Sequence, residues 1–319
     1  MSEKPLVSFI VFAYKQERFI REAVRSALAQ TYEPLEILLS DDCSPDRTFE
    51  IMKEEAEAYR GPHKVILNRN PENAGLAAHV NRGFELTHGE FVVVQAGDDR
   101  SLPNRTERLA AAWDEEPAVD CVFSDCCVID ADGNDTGRRR FGEDKLEYSQ
   151  TLEQVARTGS CWVAGCTAGY SRSIMSRFGP LGSAVVFEDN VLPFRAILGR
   201  GIRYLDEVFV QYRVHETNVF QGTPRDVGGA MSREQLRYWA ADRAAVVEDW
   251  LRALKITEWA DSPCKDRLDV LAWERRFDAE SYLVSRLGSL RLAAQALRAG
   301  LSARKVGGLI KRHFFRITR

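Results

Sequence analysis

Apolar runs of strand length alternate with segments of helical rhythm through the first half of the chain. Val7 to Ala13 (V-S-F-I-V-F-A) is an uninterrupted run suited to a buried strand. It is followed by Arg18 to Ala29, where Phe19, Ile20, Ala23, Val24, Ala27 and Leu28 recur at helical spacing. Leu35 to Ser40 predicts a second strand that ends on Asp41 and Asp42. Ser44-Pro45-Asp46 then supplies turn and cap chemistry for a helix from Arg47 to Tyr59. Lys64 to Arg69 predicts a third strand, Asn70 to Gly75 a loop, and Leu76 to Leu86 a helix. The apolar run Phe91 to Val94 closes on Gln95 between Gly89 and Gly97, and predicts a central strand. Strands and helices alternating at this spacing imply a doubly wound, parallel α/β sheet with right-handed crossovers.

In such a sheet, ligands bind beyond the carboxyl ends of the strands. Two predicted strands end there in paired acids, Asp41-Asp42 and Asp98-Asp99. One pair alone reads equally well as a turn that caps the following helix. Two pairs facing one crevice repel each other unless a base, a ribose or a metal engages them. Carboxylate oxygens suit hard divalent cations such as Mg²⁺ or Mn²⁺, so a cation bridging to phosphate would hold Asp98 and Asp99 together. The chain has no G-x-G-x-x-G after its first strand and no G-x-x-x-x-G-K-[ST], which removes the main support for dinucleotide dehydrogenase and P-loop readings.

The 319 residues leave room for one large α/β domain and a smaller appendage. A formal net charge of −3 argues against general polyanion binding, and no nucleic-acid partner is expected. Seven cysteines without a C-x-x-C pair support neither a disulfide framework nor a zinc site, and read as reduced thiols of a cytoplasmic protein.

Several ordered segments together carry a family resemblance. They are Val7 to Tyr14, S-D-D-C-S-P-D-R-T at Ser40 to Thr48, N-x-x-N-x-G at Asn70 to Gly75, and H-G-E-F-V-V-V-Q-A-G-D-D-R-S-L-P-N-R around the central strand. Further on come F-S-D at Phe123 to Asp125, V-I-D-A-D-G-N at Val128 to Asn134, F-E-D-N at Phe187 to Asn190, and Y-R-V-H-E-T-N at Tyr212 to Asn218. From residue 5 to about residue 220 the chain resembles family 2 glycosyltransferases of the GT-A fold. That resemblance implies a nucleoside-diphosphate sugar donor, a divalent cation (Mn²⁺ or Mg²⁺) and inversion at the anomeric carbon. It also implies a saccharide or lipid-linked saccharide acceptor, in cell-surface polysaccharide or glycoconjugate synthesis. By position, Tyr14 and Asp41 or Asp42 would hold the base and ribose, with the backbone of Phe12 and Ala13 lining that pocket and Gly97 beside it. Asp98, Asp99 and His215 would be the metal-binding residues, and Asp189 would be the general base. Ala96 stands where the family has the first acid of its D-x-D element, and Phe12 and Lys15 replace residues common in the first loop. Ala96 makes a non-catalytic nucleotide-sugar-binding homologue the first alternative. A sugar nucleotidyltransferase is the second, although Tyr14 to Arg18 lacks the glycines of its basic loop.

The chemistry also stands without the resemblance. Departure of a nucleoside diphosphate develops negative charge that a Lewis acid stabilises, while the acceptor hydroxyl must lose a proton to a carboxylate on the other face of the sugar. Glu188-Asp189, at the start of a predicted helix from Asn190 to Leu198, offers that carboxylate, and reads otherwise as acids favoured at a helix N-terminus. Asp125 closes a predicted strand, Val119 to Ser124, and would line the acceptor cleft. Asp130 and Asp132 belong to a turn, and Arg138-Arg139-Arg140 falls in an irregular polar stretch from Asp135 to Lys145.

The expected division falls at residue 225, with the catalytic domain before it and a helical region over 226–319. Ser232 to Leu254 is amphipathic, and helical rhythm continues through Leu268 to Leu287 and Leu290 to Leu297. No acid occurs from Ser281 to Arg319, and Lys305 to Arg319 reads as a basic amphipathic helix. Such a helix suits peripheral contact with an anionic membrane at the cytoplasmic face, or equally docking on its own protein or on a homo-oligomer partner. The N-terminus has no apolar signal region, and no apolar run has the length of a membrane span.

Overall fold

The computed structural model describes residues 4–115, 118–139, 150–216, 218, 233–281 and 286–308. They form two compact units. One is drawn from Met1–Thr151, Cys161–Ser183 and Phe187–Gln221; the other comes from Leu152–Ser160, Ala184–Val186 and Gly222–Arg319.

The first unit is built on a nine-stranded sheet. Its strands are β1 (Val7–Ala13), β2 (Leu35–Asp41), β3 (Lys64–Arg69), β4 (Phe91–Ala96), β5 (Arg100–Ser101), β6 (Cys121–Ile129), β7 (Asp135–Arg139), β8 (Ala168–Ser171) and β9 (Ile202–Arg213), in the order β3-β2-β1-β4-β8-β6-β9-β5, with β7 paired to β6. Strands β3, β2, β1 and β4 are parallel. Their connections carry helices α1 (Ile20–Leu28), α2 (Thr48–Ala58) and α3 (Leu76–Leu86), and α4 (Arg105–Asp114) follows β5. This is the alternation the apolar pattern predicts. Val7, Phe9, Val11, Ile37, Leu39, Phe91 and Val93 bury one sheet face against Ile20, Ala23, Val24 and Leu109 of the helices.

Beyond β4 the sheet becomes mixed. β8 runs antiparallel between β4 and β6, β6 and β9 are parallel, and β5 and β7 are antiparallel additions. The sequence pattern misses β8 because A-G-Y-S is four residues long with no alternation. The strand expected to end at Ser124 continues to Ile129, and its pairing with β9 shifts register on both sides of Asp125, so this acid occupies an irregularity inside a strand. Asp135–Arg139, expected to be irregular, is an exposed strand, while residues 140–149 lie outside the described residues. Two short helices, α6 (Ser173–Phe178) and α7 (Leu192–Leu198), complete this unit.

The second unit is helical, comprising α5 (Leu152–Thr158), α8 (Arg233–Lys255), α9 (Pro263–Ser281) and α10 (Arg286–Arg298). Trp250, Leu254 and Leu268 are fully enclosed, and Trp273, Leu292, Ala293, Ala296 and Val306 form a second cluster. Among the described residues no helix is long and apolar enough to cross a membrane. Leu309, Ile310, Lys311, Arg312, Phe314, Arg316 and Ile317 of the expected basic helix lie outside the described residues.

Candidate active site

Register puts the first two acid pairs on one sheet edge. Ala13 pairs with Asp41 across β1 and β2, and Phe12 pairs with Ala96 across β1 and β4. Tyr14, Asp42 and Gly97-Asp98 therefore leave three adjacent parallel strands side by side. Gly97 is required by this crowding, since a Cβ there would stand 2.8 Å from the Ala13 Cβ and 3.2 Å from the Phe12 carbonyl.

At the β2 end both acids accept from internal donors, although Asp41 Oδ1 has no hydrogen-bond partner among the described residues. Asp41 is fully buried, its Oδ2 accepts from the Ser44 N–H at 2.9 Å, and burial raises its pKa. Asp42, 3% exposed, accepts from Asn70 Nδ2 at 2.7 Å and from the N–H groups of Ala74 and Gly75 at 3.0 Å each, which fixes the loop leading into α3. Behind it lies a polar chain that sequence reading did not find. The His79 ring nitrogen meets Ser40 Oγ at 2.7 Å, Asn68 donates to Ser40 Oγ at 3.0 Å, and Asn68 also donates to Asn70 at 3.0 Å. Burial pushes His79 down to about 4, with Asp42 opposing. The Phe12 ring packs edge-on against His79 at 4.9 Å and over Gly83, so only the backbone of Phe12 and Ala13 borders the strand edge. Tyr14 is 38% exposed, with Lys15 Nζ over its ring.

At the β4 end the two acids diverge. Asp98 Oδ2 meets His215 Nε2 at 3.0 Å and accepts from Asn218 Nδ2 at 3.3 Å and Gln16 Nε2 at 3.4 Å. His215, read equally well from sequence as a surface histidine, is 9% exposed and lies 4.4 Å from the Phe19 ring. Asp99, expected beside Asp98 on a cation, is instead 1% exposed and accepts from the Arg213 N–H at 2.9 Å. Burial, and then the neighbouring Asp98 charge, push Asp99 up to about 8. Among the described residues no group of three or more His, Cys, Asp or Glu side chains is arranged to hold a metal ion.

Arg213 organises this end and was unassigned by the sequence reading. It is 1% exposed, and its guanidinium donates to the carbonyls of Asp98 at 2.9 Å and Ala131 at 3.1 Å and to Glu22 Oε2 at 2.5 Å, while lying 5.0 Å from the Phe19 ring. The turn Asp130 to Asn134 is thereby tied to the Asp98 loop and to α1. Asp125 is fully buried and paired with Arg139 of β7 at 2.8 Å.

Glu188 and Asp189 lie on a 3-10 turn, Glu188–Asn190, just before α7. The Trp162 indole N–H donates to Asp189 Oδ2 at 3.1 Å, and Asn190 Nδ2 donates to Oδ1 at 2.8 Å. Glu188 keeps some exposed surface, yet its carboxyl is enclosed, and burial together with Asp189 pushes it up to about 8. A Cβ on Gly165 would stand 2.7 Å from Glu188 Oε1 and 3.2 Å from the Asp189 Cβ. The next residue, Cys166, holds its thiol against Asp99. The segment Trp162–Cys166 thus touches both acid pairs and brings them together from positions about ninety residues apart in the chain. Neither Trp162 nor Gly165 carries a periodic or motif signal that could have shown this.

The family model for glycosyl transferase family 2 matches residues 8–179, more than half of the chain. The Bacillus subtilis (strain 168) protein EpsH is 30% identical over 233 residues, which cover 69% of this chain and 64% of EpsH. The chain therefore spans less than two thirds of that relative. Among solved structures, S. aureus TarS 1-349 in complex with UDP-GlcNAc has a TM-score of 0.62 at 20% identity, covering 95% of this chain and 83% of that one. The mannosyltransferase PcManGT from Pyrobaculum calidifontis, in complex with GDP-Man and Mn²⁺, has a TM-score of 0.56 at 18% identity, covering 98% of this chain and 86% of that one. These two likenesses carry the fold, a GT-A arrangement of mixed sheet and flanking helices.

Proposed function

This chain belongs to glycosyl transferase family 2, and we propose that it is a cation-dependent, inverting glycosyltransferase that moves a sugar from a nucleoside-diphosphate donor to an acceptor hydroxyl. The observation that carries this reading is that the segment Trp162–Cys166 touches both acid pairs, in each of which one acid is enclosed and the other accepts side-chain donors. Displacement with inversion needs a cation-binding carboxylate for the leaving group and a separate base for the acceptor.

Asp98 and His215 would hold the cation, offering a carboxylate oxygen and an imidazole nitrogen, a set that suits Mn²⁺ or Mg²⁺. When bound, such a cation neutralises charge developing on the departing diphosphate. Arg213 fixes the Asp98 carbonyl, so the carboxylate is held before the donor arrives. Asp189 takes the acceptor proton, oriented by Trp162 and Asn190, while Glu188 stays protonated beside it below pH 8 and so keeps a second charge away. The backbone of Phe12 and Ala13, together with Tyr14, Asp41, Asp42 and Gly97, forms the nucleoside end. In this reading residues 1–225 bind the donor and carry the chemistry, and the basic tail attaches the protein to an anionic membrane or to a second copy. The complexes of TarS with UDP-GlcNAc and of PcManGT with GDP-Man and Mn²⁺ support a nucleotide-sugar donor.

The test is a panel of nucleotide sugars incubated with Mn²⁺ or Mg²⁺, with proton NMR of the product. Transfer or hydrolysis that requires the cation and inverts the anomeric centre is expected, and retention would refute the direct displacement. Ala96 favours one rival, a binder without turnover. That rival predicts thermal stabilisation by the same nucleotide sugars with no product from any of them.

A further inference from the structure

Gln16 lies on the turn between β1 and α1, and its main chain is held from two directions. Its N–H donates to Thr48 Oγ1 at 2.8 Å, and its carbonyl accepts from the N–H groups of Phe19 at 2.9 Å and Ile20 at 2.8 Å. The side chain reaches Asp98, and the two ends of its amide fare differently. Nε2 makes a long contact, 3.4 Å, to Asp98 Oδ2, while Oε1 is buried with no hydrogen-bond partner among the described residues. An acceptor left buried and unpaired carries a desolvation cost that a bound cation would offset.

The imbalance is local. Asp98 Oδ2 faces three nitrogens, from His215, Asn218 and Gln16, although a carboxylate oxygen has two lone pairs to offer. One oxygen is oversubscribed and the amide oxygen beside it has nothing. Rotating the Gln16 amide by half a turn exchanges its two ends at almost no steric cost, since nitrogen and oxygen occupy nearly the same volume. A positive ion next to Asp98 Oδ2 would then meet a carboxylate oxygen, an amide oxygen and an imidazole nitrogen.

The geometry points to Gln16, through Oε1, as a ligand of a divalent cation held with Asp98 and His215. The inference rests on the reading of Asp98 as the cation-binding acid. It gives the missing first acid at Ala96 a replacement from another element, a neutral oxygen in place of a charged one. A shell with one carboxylate binds its cation weakly unless phosphate completes it, so the ion and the diphosphate would arrive as a unit.

The experiment titrates Mn²⁺ in the presence of inorganic pyrophosphate, which supplies two phosphates without base or sugar, and follows the unbound ion by electron paramagnetic resonance. Wild type is compared with Gln16→Leu, Gln16→Glu and Asp98→Asn, with circular dichroism as the check on folding. Gln16→Leu should weaken Mn²⁺ binding by about 10-fold or more, and Gln16→Glu, which puts a charged oxygen at the same place, should tighten it past wild type. The inference is overturned if Asp98→Asn weakens binding while both Gln16 variants stay within about 2-fold of wild type. If Gln16→Leu does not fold, Gln16→Glu decides alone, and binding no tighter than wild type overturns the inference. If Asp98→Asn leaves binding unchanged, the reading of Asp98 falls, and the inference with it.

Discussion

The pair at the end of β4 and the pair on the 3-10 turn before α7 are built alike from unrelated local structure. In each, one acid is enclosed and held at about 8, Asp99 in the first and Glu188 in the second. In each, the neighbouring acid meets side-chain nitrogens, Asp98 those of His215, Asn218 and Gln16, and Asp189 those of Trp162 and Asn190. Adjacent residues point in different directions, so two acids in sequence need not share a ligand. A doublet of acids thus delivers one working carboxylate and one buried neighbour. What separates the two pairs is the company of the less enclosed member: an imidazole lies against Asp98, whereas the Trp162 indole and the Asn190 amide donate to Asp189. That contrast is the ground for giving the cation to the first pair and proton removal to the second.

The largest effect is expected where the second pair is broken. Asp189→Asn should lower turnover by about 10²- to 10⁴-fold, the usual contribution of a positioned base, with donor affinity kept. Glu188→Gln should retain most activity; steady-state kinetics showing the reverse order would exchange the two roles. Next comes the support of the first pair. Arg213→Met leaves the carbonyls of Asp98 and Ala131 without their donor and should cost on the order of 3 kcal/mol in urea denaturation. Glu22→Gln should cost far less, because Glu22 is half exposed.

The pair at the β2 end is the control, since Asp42 is already committed to internal donors. Asp42→Ala releases Asn70 and the Ala74–Gly75 N–H groups, and should weaken nucleoside diphosphate and whole donor alike by about 1–3 kcal/mol in calorimetry. A loss confined to the whole donor would place Asp42 at the sugar instead.

A further check on the second pair is stability against pH. Glu188 titrates at about 8 in the fold against an ordinary 4.5, so the folded chain holds a proton that the unfolded chain sheds, and this group lowers stability as pH rises from 4.5 to 8. Denaturation series should show Glu188→Gln gaining on wild type across that window and level with it below pH 4.5, while the share of Asp99 persists. A constant offset at all pH values would mean that the Glu188 carboxyl is not enclosed.

Much of the fold was legible because its strands are apolar runs with unambiguous length. Val7–Ala13, Lys64–Arg69 and Leu76–Leu86 have the bounds read from pattern alone. β8 was not legible, since four residues of A-G-Y-S are strand only by virtue of lying between β4 and β6. The placement of Asp41 and Asp98 on one edge followed from parallel pairing, which a chain of alternating strands and helices dictates. The partition within each acid pair did not. It depends on Arg213, Gln16, Trp162 and Cys166, whose contacts cross about 30 to 115 residues of sequence, and such contacts leave no mark on local periodicity. His79 was hidden for the same reason, being one polar residue on a helix face otherwise read as core.

The central claim, that the first pair binds the cation and the second removes the proton, is tested most directly by calorimetric titration of Mn²⁺ and a nucleoside diphosphate into Asp98→Asn and Asp189→Asn side by side. The heat of cation-dependent binding should be lost in Asp98→Asn and unchanged in Asp189→Asn. Equal loss in both variants, or loss in Asp189→Asn alone, would contradict the claim.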